Sequence, residues 1–137
     1  MMDIFFTNPN DVPVPPEKMG IRELKATPYA DGKRVAIEFE ITPFQQKPNI
    51  EIGILNRDHE EVSSLSVVEA IENTMSFTLH LREPRPHGEY QVKMQLFYTD
   101  LKSLDDEEDK LIKDLLLENK RHVVTAETIF SITAQDA

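Results

Sequence analysis

Cysteine and tryptophan are both absent from the 137 residues, and glycine occurs only four times. Without cysteine, neither a disulfide framework nor a thiolate zinc site can form. Four isolated glycines make no phosphate-cradling loop and no nucleophile elbow. Long apolar runs are missing too: none approaches the roughly 20 residues that a membrane helix needs. The opening MMDIFFTNPNDVP has no basic stretch, and Ile4-Phe5-Phe6 is too short for the apolar part of a secretory leader. The expectation is a soluble, cytoplasmic chain. Basic charge is in deficit: 15 Lys and Arg against 25 Asp and Glu give a net charge of −10. Such a field repels nucleic acid and anionic lipid, so neither is an expected partner, and any steering favours basic ones. Half of that excess lies in residues 100–137, with 5 basic and 10 acidic side chains.

What the chain has is alternation. Val35, Ile37, Phe39 and Ile41 alternate with Ala36, Glu38, Glu40 and Thr42, the period-two pattern of a half-buried antiparallel strand. Ile50–Ile54, Met75–Leu81 and Tyr90–Tyr98 alternate in the same way, and Ile21–Ala26 and Val123–Thr133 do so more weakly. In Val62–Val68 the apolar phase slips between Val62 and Leu65, which predicts a bulge. Turn residues separate the runs: Asp31-Gly32, Pro43 to Pro48, Asn56 to His59, and Pro84, Pro86 and Gly88. About seven strands at this spacing, with no helix between the early ones, predict a mainly β, antiparallel sandwich at 21–133. Its expected core is Val35, Ile37, Phe39, Ile41, Ile50, Ile52, Ile54, Phe77, Leu79, Val92, Met94, Leu96 and Phe130. Residues 1–20 read as an extended Pro-rich arm and 134–137 as a short tail.

One stretch departs from the pattern. DDEEDKLIKDLLLENKRH, residues 105–122, has helical spacing, and a helical insertion at about 103–121 is expected between the last two strands. Ser103 caps it, Asp105 to Asp109 load the positive end of its dipole, and Lys120, Arg121 and His122 load the negative end. Leu104, Leu111, Ile112, Leu115 and Leu116 fall on one stripe, which needs a partner. Phe97 and Ile129 point away from the core on the flanking strands. The helix is therefore expected to fold over both, or to offer its leucines to another protein.

HGEYQVKMQLFY (87–98) resembles the sixth strand of immunoglobulin-like and fibronectin type III-like sandwiches. There a tyrosine two residues ahead of a core position bonds back to the preceding corner, the placement of Tyr90 and Val92. The resemblance implies an architecture of about seven strands. It implies no activity, because this superfold serves many unrelated tasks. The chain departs from true immunoglobulin domains in lacking their cysteine pair and core tryptophan.

No catalytic or metal constellation is legible. His59, His80, His87 and His122 are scattered, and the run Asp105–Asp109 fails as a calcium loop, with Lys110 at the sixth position and Leu116 at the twelfth. No cofactor is expected. Arg82, Arg85 and His87 form a concentrated basic spot that offers a weak anion contact. The expectation is a non-catalytic protein-interaction module or homo-oligomeric accessory protein, not an enzyme. Its candidate contacts are Ile4, Phe5, Phe6, Leu115, Leu116, Phe97 and Ile129, with a homodimer possible through the N-terminal arm. The alternatives are a subunit of a larger assembly, or a small-molecule or carbohydrate-binding sandwich with a loop-end site built from Tyr29, Phe44, Gln45, Gln46, Arg85 and His87.

Overall fold

A computed structural model describes residues 12–99 and 120–133. Seven strands follow one another: β1 (Ile21–Pro28), β2 (Arg34–Ile41), β3 (Asn49–Leu55), β4 (Glu61–Val67), β5 (Thr74–His80), β6 (Gly88–Thr99) and β7 (Lys120–Ile132). They make two antiparallel sheets, ordered β1-β2-β5 and β4-β3-β6-β7. Every predicted strand is present to within a few residues at each end, because period-two alternation can bury its apolar half only as a strand against a second sheet.

The inward-facing side chains of both sheets meet in one core. Val35, Ile37, Phe39 and Ile41 of β2 face Ile50, Ile52 and Ile54 of β3 and Val92, Met94 and Leu96 of β6, all essentially inaccessible. Leu79 and Phe130 are also buried. Phe77 is only half-buried, because β5 is an edge strand; its ring stacks on Phe39 at 6.2 Å between centroids.

The predicted bulge sits at Val62. Ile54 pairs with Ser63 and Leu55 with Glu61, so Val62 is the extra residue. A second irregularity sets His122 and Val123 of β7 against Phe97 of β6, with His122 at φ 53°. The expected helix at about 103–121 lies outside the described residues except at its end, and there it is corrected: Lys120 and Arg121 belong to β7. A run of Lys, Arg and His suits a helix C-terminus, but it is equally at home on a strand whose alternate side chains are solvated.

The connections sort to two ends. Residues 12–20 of the arm, the β2–β3 loop and the β4–β5 loop gather at one, here called the arm end. The β1–β2, β3–β4 and β5–β6 connections lie at the other, the turn end. The described part of the arm lies against the sandwich. Val14 N–H donates to the Pro43 carbonyl at 3.0 Å, and Gln45 N–H to that of Val14 at 2.9 Å. Pro16–Lys18 form one 3-10 turn, and Met19 is buried in the core.

Candidate functional site

Outward-facing residues of the four-stranded sheet form a regular grid. One row runs Ser66, Glu51, Gln95, Thr125; the next runs Ser64, Gly53, Lys93, Glu127. Gly53 leaves the middle low, and the face holds an open groove of about 470 Å³. A Cβ at Gly53 would lie 3.1 Å from Glu61 Oε2, so the Glu61 carboxylate reaches over the glycine from the edge strand. Gln91 Nε2 donates to Glu127 Oε1 at 2.6 Å. The groove is lined by carboxylates, hydroxyls, an amide and the Lys93 amine, interleaved with aliphatic groups such as Leu55, Leu65 and Ala126 and with no aromatic ring. This composition suits hydrogen bonding to an extended polar guest.

Phe97 lies just beyond the groove on the same face. It is 1% exposed, and the Lys120 ammonium sits 4.5 Å above its ring. Lys120 Nζ also donates to Gln95 Oε1 and, at 3.3 Å, to Glu51 Oε1. One cation thus covers an aromatic face and ties β7 to β3 and β6 within one row of the grid. Ile129 is 59% exposed; the helix expected to cover it and Phe97 lies outside the described residues. Ile4, Phe5, Phe6, Leu115, Leu116 and the acidic run Asp105–Asp109 lie outside the described residues.

At the turn end, Tyr90 closes a corner. Its hydroxyl accepts from His87 N–H at 3.0 Å and donates to Glu83 Oε1. Glu83 Oε2 accepts from Asn56 Nδ2 at 3.0 Å. Asn56 is itself buried, and its Oδ1 accepts from the backbone N–H groups of Asp58 and Glu60, both at 2.9 Å. Burial first, and then the bond to Glu83, push the Tyr90 phenol up to about 12. Burial does the same for Tyr98, whose hydroxyl donates to the Gln46 carbonyl at 2.8 Å.

No family model and no curated protein matches the chain.

The basic spot does not converge. His87 Nδ1 pairs with the carbonyl of Arg85 at 2.8 Å, and the His87 carbonyl accepts from Arg57 Nη1 at 3.2 Å. Arg82 and Arg85 are exposed. Arg57, which the sequence reading passed over, is carried to this corner by the β3–β4 turn; only the pairing of β3 with β6 signals it. The six loop residues of the ligand-binding alternative divide between the ends: Phe44, Gln45 and Gln46 at the arm end, Tyr29, Arg85 and His87 at the turn end. His59, His80 and His87 lie at the turn end and His122 at the other. Among the described residues, no three acidic or histidine side chains are placed to hold a metal.

The arm end carries exposed apolar side chains among polar ones. Pro13, Pro43, Phe44 and Ile71 line a shallow cleft of about 410 Å³ together with Glu72, Asn73 and Thr74. Ile71 is 71% exposed and Val68 55%, and Val12 is exposed as well.

Proposed function

We propose that the chain is a non-catalytic, cytoplasmic interaction module on an immunoglobulin-like, fibronectin type III-like sandwich. It holds a protein partner, or another copy of itself, by the arm end. The fold reading is supported by the strand order, with three strands against four, and by the bond from His87 N–H to the Tyr90 hydroxyl at the corner before the sixth strand. The functional reading is carried by one observation: large apolar side chains stand in water at the arm end, Ile71 foremost, around a cleft of about 410 Å³. Exposed large apolar side chains gathered at one end of a domain suit a contact site. Nucleic acid and anionic membrane are disfavoured by the net charge of −10.

Ile71→Glu tests this. The side chain is exposed, so stability is expected to stay within about 0.5 kcal/mol. Proteins captured by the tagged wild-type chain from its own cells are expected to be lost with the variant. Identical recovery from both would refute the arm end as the contact.

A second reading is favoured by the outer groove: a sandwich that binds a polar small molecule or carbohydrate on its sheet face, away from the loops. Gly53→Leu would fill the groove floor. Loss of a sugar's binding heat in that variant, with Ile71→Glu unaffected, would select this reading.

A further inference from the structure

The two lateral sides of the sandwich are guarded unequally. β1 and β7 lie beside each other on one side, β4 and β5 on the other, and each is the end strand of its sheet. β1 carries Arg22, Glu23 and Lys25 and ends in Pro28; β7 carries Lys120, Arg121 and Glu127. Charges and proline are the devices by which an edge avoids recruiting another strand. Along β4 and just past its end, Val62 to Val68 read Val-Ser-Ser-Leu-Ser-Val-Val, with no charge, proline or glycine. The Val62 carbonyl accepts from Arg82 N–H at 2.9 Å. Beyond it, no strand among the described residues pairs with the outer edge of β4. Exposed Val68 and Ile71 follow directly.

We propose that β4 is a dimer seam: two copies of the chain pair β4 with β4, antiparallel about a two-fold axis, joining their four-stranded sheets into one of eight strands. Three features select a second copy as the occupant. A segment that pairs with itself must be self-complementary about the axis. Val62–Val68 is nearly so about Leu65, where Ser64 falls opposite Ser66 of the second copy and Val62 opposite Val68. Next, each copy carries −10, and a stretch of seven uncharged residues is where two such copies approach at least electrostatic cost. Finally, the carboxylates that bracket the segment are held away from the edge: that of Glu61 reaches inward over Gly53 of β3. Glu61 lies past the bulge at Val62, and Glu69 turns away at φ 54°. Beyond Val62, the edge N–H and C=O groups that no described strand pairs supply the hydrogen bonds, as they do when any strand is added to a sheet.

This goes beyond the interaction reading above, which stands or falls with Ile71. The test is Ser64→Lys with Ser66→Lys. Both serines are exposed on the outer face, and the axis would set lysine against lysine. The substitutions change the net charge to −10 + 2 = −8, so general repulsion between copies falls. Dissociation can then come only from the seam. Sedimentation of the wild-type chain is expected to give about twice 15.8 kDa, and the double variant 15.8 kDa. Ser76→Lys on β5 is expected to leave the dimer intact. Amide exchange within Ser63–Val67 of the wild-type chain is expected to quicken on dilution, a readout that does not depend on the variant folding. A wild-type monomer at high concentration, a double variant that remains dimeric, dissociation by Ser76→Lys alone, or exchange indifferent to dilution would each overturn the seam.

Discussion

Tyr90 joins the core to a hydrogen-bonded corner. Its ring is fully buried and stacks on Phe130 at 5.1 Å, while its hydroxyl both accepts and donates. Tyr90→Phe would leave His87 N–H and a Glu83 oxygen without that partner. A hydrogen bond to a charged group contributes roughly 1.5–3 kcal/mol, so a loss of that order is expected in urea unfolding. Alkali tests the same site. The folded phenols of Tyr90 and Tyr98 lie at about 12, against about 10 for a free tyrosine. Below pH 10 both states hold the protons, and the contribution to stability is complete. Between pH 10 and 12 the unfolded chain releases protons that the folded chain keeps, so stability falls, most steeply at about 1.4 kcal/mol per pH unit per group. Two tyrosines whose tyrosinate absorbance rises only with unfolding are the expected signature; two that ionise below pH 11 in the folded protein would contradict it. The place of Tyr90 is legible in HGEYQVKMQLFY, because a strand start and a core phase fix it. Glu83 is not legible as its partner, nor Asn56 as the partner of Glu83. They come from two other connections, and no periodicity encodes a bond between loops.

At the level of elements, alternation was a sufficient guide wherever both phases were kept. The slip in Val62–Val68 marked a bulge, and the bulge is there. The boundary of β7 was missed because Lys120, Arg121 and His122 fit two patterns. Charge alone does not separate a helix end from a solvated strand, and the bulge at His122 and Val123 breaks the alternation that would have done so. That bulge leaves Lys120 outward, over Phe97. The lysine over Phe97 was not legible, since nothing in a one-dimensional pattern says that a lysine stem can lie across a ring; the helix expected to cover Phe97 lies outside the described residues. Lys120→Ala would remove the cation from the ring and from Glu51 and Gln95 together. The pair Lys120–Glu51 is partly exposed and contributes little by itself. Cation–π contact and stem packing bring the expected loss to about 1–2 kcal/mol. Lys120→Met keeps the stem without the charge and is expected to recover about half of that. If both variants melt like the wild-type chain, the lysine does not cover the ring.

For the whole molecule, the core is graded from centre to edge, and the grading follows from topology. β2 is the middle strand of its sheet, and β3 and β6 are the middle strands of theirs. Their inward residues are the fully buried ones, whereas those of β1 and β5 are mostly half-exposed. A period-two pattern identifies which side chains point inward but is silent on which strand is central, and so Phe39 and Phe77 looked equivalent in the sequence. They stack on each other, yet one is at the middle of a sheet and the other at its margin. Aspartate separates them. In Phe39→Asp the carboxylate has neither water nor a partner, and an unpaired buried charge costs several kcal/mol on top of the lost packing. Against the 5–15 kcal/mol that typically holds a domain together, the expected outcome is an unfolded chain. Val92→Asp, in the middle of β6, is expected to behave alike. In Phe77→Asp the carboxylate can turn past the β5 edge into solvent, so the loss is chiefly the ring's burial, about 2–3 kcal/mol. That variant is expected to fold and to melt cooperatively at a lower temperature. Circular dichroism of the three proteins decides the matter: a folded Phe39→Asp, or a Phe77→Asp as disrupted as the other two, would mean that the two sheets do not enclose the core along β2, β3 and β6.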